Sequence, residues 1–391
     1  MQKLILLVLL SSLWAWGMDY QTFKTYTLKH SPLLQSKRVE LDKTRVSNAI
    51  SLRAKNPVLT LEGSRYDQNS DLKEYEYAVG ISQTVRTPWY MQGIKQRTAA
   101  ASALSRALVT QGRAGYLKEL ESLYTEYVFQ SRMLDLLKQE YALSQKVTKM
   151  VKERYKNGSE TKVAYLQAHT QSLTLKTQLY TARQQQSTLY YQLIAISGLT
   201  QKVSLEKRFI YPVSTHIPKG KGRSPQQLII DAQKKLYQSH MALNSNSLRE
   251  LDLFSSLEQE PDQSIIRVGV NIPLSINNDR SEERMLAKLR MHQAALDSRQ
   301  LAHTLKARRS MLETTIRELS GQYRALEGLS RDQQELVSLL EEGYRIAKGS
   351  LFQLMTEKSK LIQTRKTLLQ TYKTINLQKI ELRFLQGDYN E

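Results

Sequence analysis

The sequence states one unusual arrangement twice. In each half a short helical segment leads into two strands, then a very long helix, a sharp turn and a second long helix. The first copy spans residues 18–200, with strands at 58–66 and 74–85 and a helical hairpin at 89–199. The second spans 225–391, with strands at 251–258 and 264–274 and a hairpin at 280–388. A pair of strands set into a helical duplication is rare in a soluble domain. It points to a chain that places strands in one medium and helices in another.

The strands show which medium. Tyr75, Tyr77, Val79 and Ile81 share one face, and Glu76, Ala78, Gly80 and Ser82 share the other. Leu59 and Leu61 likewise oppose Thr60 and Glu62. In the second half Leu251, Leu253 and Leu257 oppose Asp252, Phe254, Ser256 and Glu258. Ile266, Val268, Val270, Ile272 and Leu274 oppose Arg267, Gly269 and Asn271. Alternation with period two marks a sheet with one apolar face. A run of about 9–12 residues is what a tilted strand needs to cross a bilayer. Val268, Val270 and Ile272 are therefore expected to face lipid. Gly269 and Asn271 are expected to face a lumen and to tolerate polar change.

The start of the chain fits export. Lys3, the apolar run from Leu4 to Trp14 and the small residues Ala15 and Gly17 read as a signal peptide over residues 1–17, cleaved before Met18. No later apolar run approaches the roughly 20 residues of a spanning helix. There is no cysteine, so neither a disulfide framework nor an N-terminal lipid-bearing cysteine is expected.

The helices read as coiled coils. Only 16 glycines and 8 prolines occur in 391 residues, about half the usual share, which favours long uninterrupted helices. No proline falls between Trp89 and Lys156, a stretch of roughly 100 Å as a helix. Leu120, Tyr127, Leu134, Tyr141 and Tyr155 share one heptad register, broken at Thr148. Leu305, Leu312, Leu319 and Leu326 keep another, and Leu354, Leu361, Leu368, Ile375 and Leu382 a third. Registers sustained this long mean helices packed side by side. Pro212, Pro218, Gly220 and Gly222 mark residues 201–224 as a linker or small side element. The formal charge of +20 is spread along helices rather than clustered with aromatics, so no nucleic-acid partner is expected.

No reaction chemistry is visible. The six histidines are scattered, and His292 and His303 stand eleven residues apart, too far to share a metal. There is no glycine-rich phosphate loop and no nucleophile elbow. The expectation is a protein that is not an enzyme, with no catalytic residues, no cofactor and no metal.

The two turns carry a resemblance. Arg154-Tyr155-Lys156-Asn157-Gly158, followed by Val163, Leu166 and Ala168, and Gly343-Tyr344-Arg345 through Lys348-Gly349-Ser350-Leu351-Phe352-Gln353-Leu354, are similar to the helix turns of the TolC-type outer-membrane efflux family. With Asn271-Ile272-Pro273-Leu274, the second turn most resembles the heavy-metal (CzcC/CusC-like) branch. The resemblance covers essentially the whole mature sequence. It implies a mixed α/β membrane protein of duplicated helical hairpins forming a coiled-coil tunnel, whose four β-strands join a trimeric twelve-stranded outer-membrane β-barrel. Three-fold closure also answers a physical need, because four strands alone would leave unpaired edges in lipid.

The implied function is the exit channel of a tripartite efflux pump for heavy-metal ions or small toxic compounds. The implied partners are two further copies in a homotrimer, a periplasmic adaptor, an inner-membrane pump of the RND type and outer-membrane lipid. A type I protein-secretion exit duct shares the fold, and a periplasmic coiled-coil adaptor or scaffold is the alternative from another class. The resemblance places a periplasmic gate at Tyr344, Arg345, Gln353 and Thr356. Gln353 and Thr356 stand where some members carry acidic residues, and Ala347 stands where a glycine is usual. Closure is then expected from Tyr344 as an occluding ring and from Arg345 offset by Glu341, Glu342 or Glu357. Adaptor docking falls on the helix tips, at Tyr155, Asn157, Gly158, Ser159, Lys348, Gly349 and Ser350. Gly158 and Gly349 are expected to take the left-handed conformation that ends a helix.

Overall fold

The computed structural model describes residues 17–390, except 68–72, 217–219, 221, 275, 347 and 348; the side chains at 66, 67, 73 and 74 are also outside the description. The expected signal segment therefore lies outside the described residues, apart from Gly17. The elements run α1 (Tyr20–His30), α2 (Pro32–Leu52), β1 (Val58–Asp67), β2 (Lys73–Arg86), α3 (Pro88–Lys156) and α4 (Lys162–Ser197). They continue as α5 (Pro225–Leu243), β3 (Glu250–Gln259), β4 (Ser264–Asn271), α6 (Ser281–Arg345) and α7 (Leu351–Gln386). Proline opens α2, α3 and α5, the helical position where its fixed φ helps and its missing N–H is not needed.

Two compact units cut across the sequence halves. One comprises residues 37–111 and 225–303, and the other comprises residues up to 36, 112–224 and 304–391.

The first unit holds the sheet. Its strands lie in the order β1-β2-β3-β4, every pair antiparallel. The central pairing joins the two halves of the sequence, with Val79 opposite Leu257 and Gly80 opposite Ser256. Register decides the faces, because directly opposed residues share a side. Leu61, Val79, Leu257 and Ile266 form one apolar row, and Glu62, Ala78 and Glu258 belong to the other face. The apolar row is bare: Val268 is 79% exposed, and Leu59, Leu61, Tyr77, Val79 and Ile266 are exposed too.

Two expectations need correction here. β4 ends at Asn271, so Ile272 and Leu274 lie beyond it. Pro273 lacks the N–H that a continued ladder would require. Gly269 does lie on the polar face, opposite Phe254, but it is not open to change. A Cβ there would meet the Phe254 ring at 2.5 Å, so any side chain must displace an aromatic that covers the glycine.

The second unit is helical and dry at its centre. Phe23, Leu117, Leu120, Tyr124, Tyr127, Val128, Leu193 and Tyr389 pack into one cluster with the linker residues Val203, Leu205 and Phe209. Glu121 of α3 sits inside it, 1% exposed. Its two carboxylate oxygens accept from Tyr20 (2.7 Å), Tyr211 (2.6 Å) and Tyr389, and Lys24 stands 3.4 Å away. Burial, reinforced by the Glu121 charge, pushes the Tyr20 and Tyr389 hydroxyls far above the ordinary tyrosine range. Hydrogen bonds to a charged group are worth about 1.5–3 kcal/mol each. One carboxylate thus fastens α1, the linker and the C-terminal residues to the long α3 helix. Linker residue Tyr211 also donates its N–H to Asn376 of α7 at 2.9 Å, so the part of the linker from Val203 to Tyr211 is packed against the helices.

Candidate functional site

The site expected from the turns is built where four helix ends meet. Val147 and Val151 of α3, Ala168 of α4, Val337 and Tyr344 of α6, and Leu351, Leu354 and Leu361 of α7 form one buried cluster. The heptads place these residues: Leu354 and Leu361 stand one heptad apart on the buried face of α7.

The first tip closes through backbone geometry. Gly158 adopts φ +73°, the left-handed region where a Cβ is costly. Ser159 N donates to Arg154 O at 2.8 Å and Gly158 N to Tyr155 O at 3.1 Å, which satisfies carbonyls left over at the end of α3. Thr161 then caps α4 by accepting from Ala164 N at 3.1 Å. Tyr155 is exposed and stacks on Tyr165, with ring centroids 6.1 Å apart and planes nearly parallel. Asn157 and Ser159 are also at the surface.

The second tip closes through packing. Gly349 does not take the left-handed conformation expected of it; it is needed because of a close approach, since a Cβ there would lie 2.7 Å from Tyr344 N. Ser350 takes the capping position of α7 with no side-chain hydrogen bond, and Leu354 N donates to its carbonyl at 3.2 Å. Lys348 lies outside the described residues.

Tyr344 is the surprise. Instead of projecting as an occluding ring, it is 1% exposed within its own chain. The Arg154 guanidinium lies 4.3 Å from its ring centroid and donates to its backbone carbonyl at 2.7 Å. Its hydroxyl donates to Glu160 at 2.9 Å. Burial, with the Glu160 carboxylate beside it, pushes the hydroxyl's pKa up to about 12. The first tip therefore clasps the second through Arg154 and Glu160, and the aromatic is consumed in that clasp. Arg345 pairs with Glu342 at 3.3 Å on its own helix. Glu341 pairs with Lys358 and Glu357 with Lys360, so neither offsets Arg345. Gln353 is exposed. Thr356 bonds back to Phe352 O at 2.8 Å and lines an open groove of about 720 Å³ between α4 and α7, with Val163, Leu166 and Phe352.

Further from the tips a charged cross-brace joins the hairpins. Buried Glu140 of α3 accepts from Arg365 of α7 at 3.2 Å, and Arg365 also reaches Gln334 of α6. Burial raises the Glu140 carboxyl above its ordinary range, with Arg365 pulling the other way.

Arg154, Glu160 and Glu140 escaped the sequence reading. The turn motif contained Arg154, but its partner stands 190 residues later, and no local spacing announces that. The same holds on the sheet. Glu76, Glu258 and Glu260 bring carboxylate oxygens within 4.8 Å of one another, with Arg267 against Glu258. That grouping exists only once the register is set.

No protein-family model and no curated protein matches this sequence. Solved structures do. The outer membrane channel CmeC of Campylobacter jejuni matches with a TM-score of 0.78 at 13% identity, over 94% of this chain and 85% of that one. The outer-membrane channel OprN matches with a TM-score of 0.79 at 12% identity, over 95% and 90%. CusC, whose structures concern folding and transmembrane channel formation, matches with a TM-score of 0.76 at 14% identity, over 95% and 93%. At such identity the likeness shows the fold: this chain has the fold of these outer-membrane channels.

Proposed function

We propose that this protein is an outer-membrane exit channel of the TolC type, which passively conducts substrates delivered by an inner-membrane pump and a periplasmic adaptor. The observation that carries the reading is the sheet. Its apolar face is bare and its outer strands β1 and β4 each have one free edge among the described residues. Water does not favour such a face and lipid does not permit such edges. Three copies closing twelve strands into a barrel resolve both conditions at once. No described helix is long and apolar enough to cross a membrane.

The helix tips supply the periplasmic mouth. In this reading the clasp of Arg154 and Glu160 on Tyr344 holds the two hairpins of a copy together and keeps the mouth narrow. The surface residues Tyr155, Asn157 and Ser159 are the docking points for the adaptor. Heavy-metal ions are the first candidate cargo and small toxic organic compounds the second. Neither needs a ligand cluster in the duct, because selection is made by the inner-membrane partner.

The test is single-channel recording in planar bilayers. Wild-type protein should give low, uniform conductance steps, and Tyr344→Ala combined with Arg345→Ala should raise them several-fold. Protein that never forms channels overturns the reading. Growth of a deletion strain on metal salts and on organic toxins then separates the two cargo classes.

A further inference from the structure

Two of the long helices keep an apolar seam that their own chain does not cover. On α4, Val163, Leu166, Leu173, Tyr180 and Tyr191 are exposed at heptad positions, with Thr170 and Thr177 between them. On α6, Leu329, Leu336 and Leu339 are exposed, and Ile346 continues the row just past the helix end. An a/d seam facing water is an unfinished coiled coil.

The charges beside the two seams are opposite. Lys162, His169, Lys176 and Arg183 stand seven residues apart along one edge of the α4 seam, and α4 contains no Asp or Glu. None of these four makes an ion pair with a described residue. Asp332 takes a d position within the α6 seam, and the exposed charges at the seam's edge are Glu335 and Glu342, seven apart. Asp332 and Glu335 make no ion pair with a described residue, and Glu342 is held only by Arg345 on its own helix. With Val163 and Leu166 taken as the a and d positions, the four bases fall at g. With Leu336 and Leu339 taken the same way, Glu335 and Glu342 also fall at g. Two helices running in opposite directions bring their g positions face to face.

Direction and height agree as well. α4 leaves the first tip and α6 runs into the second, and Glu160 meets Tyr344 there. Counting along the two helices from that contact, Lys162 stands level with Glu342 and His169 with Glu335. We infer that the α4 seam of one copy receives the α6 seam of the next, as an antiparallel coiled coil whose register is set by basic g positions on α4 and acidic g positions on α6. The inference rests on the trimeric channel reading and names the surface that closes it. Each copy offers one seam of each kind, so the contact is head-to-tail and closes into a ring. The open groove between α4 and α7 receives the ridge of the incoming helix. Its α7 wall carries Phe352, 75% exposed, for that ridge to cover.

The absence of cysteine makes the test clean. Leu166→Cys and Leu336→Cys are placed in one full-length chain and oxidised in outer-membrane preparations. A ladder of covalent dimer and trimer on denaturing gels is expected. Native trimers that yield only monomers after oxidation overturn the seam while leaving the channel reading intact. If the wild-type protein forms no trimer, the channel reading fails and takes this inference with it. A second arm tests the charges. Lys162→Glu with Lys176→Glu should reduce detergent-resistant trimer about tenfold, since many weak pairs are reversed around the ring. Adding Glu335→Lys and Glu342→Lys should restore it. Loss without rescue means the acidic edge is not the partner.

Discussion

The sheet and the helix tips solve opposite problems. The sheet leaves its apolar side chains outside, with Val268 and Ile266 among the most exposed large hydrophobic residues described. At the tips the clasp between the two hairpins is closed within one chain, and Tyr344 is shut in by Arg154 and Glu160. One chain therefore completes its own clasp but not its own sheet. The difference separates two kinds of sensitivity. Changes on the sheet should act on membrane insertion and assembly. Changes in the clasp should act on passage through an assembled channel.

The sheet should give the largest effect. Val270 lies opposite Leu253 on the bare apolar face, and Asn271 lies opposite Asp252 on the polar face. An arginine on the lipid side costs up to about 2–4 kcal/mol per copy, less toward the ends of the strand. Val270→Arg should therefore abolish trimers in the outer membrane, and Asn271→Arg should leave them. Heat-modifiable mobility on gels reads both. Equal assembly of the two variants would remove the distinction between sheet and tip.

The tips should show the converse. Arg154→Met keeps the length of the side chain but loses the bond to Tyr344 O and the contact with its ring. A charged hydrogen bond contributes about 1.5–3 kcal/mol. A cation over an aromatic adds about 0.5–1 kcal/mol. Trimers should form as in the wild type, and conductance in planar bilayers should rise several-fold. Loss of trimers instead would mean that the clasp, like the sheet, belongs to assembly.

Much of this contrast could be read before any coordinates. One-sided burial imposes period two on Tyr75 to Ile81 and on Ile266 to Val270, so strands and faces were visible. Paired helices impose the heptads of Leu354 to Leu382, and Gly158 announced a helix end because few other residues take φ +73°. Contacts across long sequence separations were not legible. Tyr344 looked like an exposed plug because its neighbours in sequence are glycine and arginine. Its burial depends on Arg154 and Glu160, which belong to the other hairpin. Gly269 looked free because its covering ring, Phe254, belongs to another strand. The three tyrosines that converge on Glu121 come from the beginning, middle and end of the chain, and no periodicity links them.

The smallest effect, and the one most specific to the clasp, belongs to the Tyr344 hydroxyl. Tyr344→Phe keeps the ring under Arg154 and removes only the bond to the Glu160 carboxylate, about 1.5–3 kcal/mol, without the loss of the cation over the ring that Arg154→Met adds. Conductance at neutral pH should rise modestly, less than in Arg154→Met. Alkaline pH isolates the same bond. The hydroxyl must stay protonated to donate to Glu160, and its pKa of about 12 lies above the ordinary value of 10. A raised pKa means that folding favours the protonated form. The stabilisation is complete below pH 10 and is lost as pH rises through 12. Wild-type conductance should therefore climb between pH 10 and 12. Lysines and other tyrosines titrate there too, but they are shared by Tyr344→Phe, which has nothing left to lose at this position. The variant should start higher and climb less, so that the two curves converge at the alkaline end. Parallel curves would place the alkaline response in other groups and leave the hydroxyl with no part in holding the tips together.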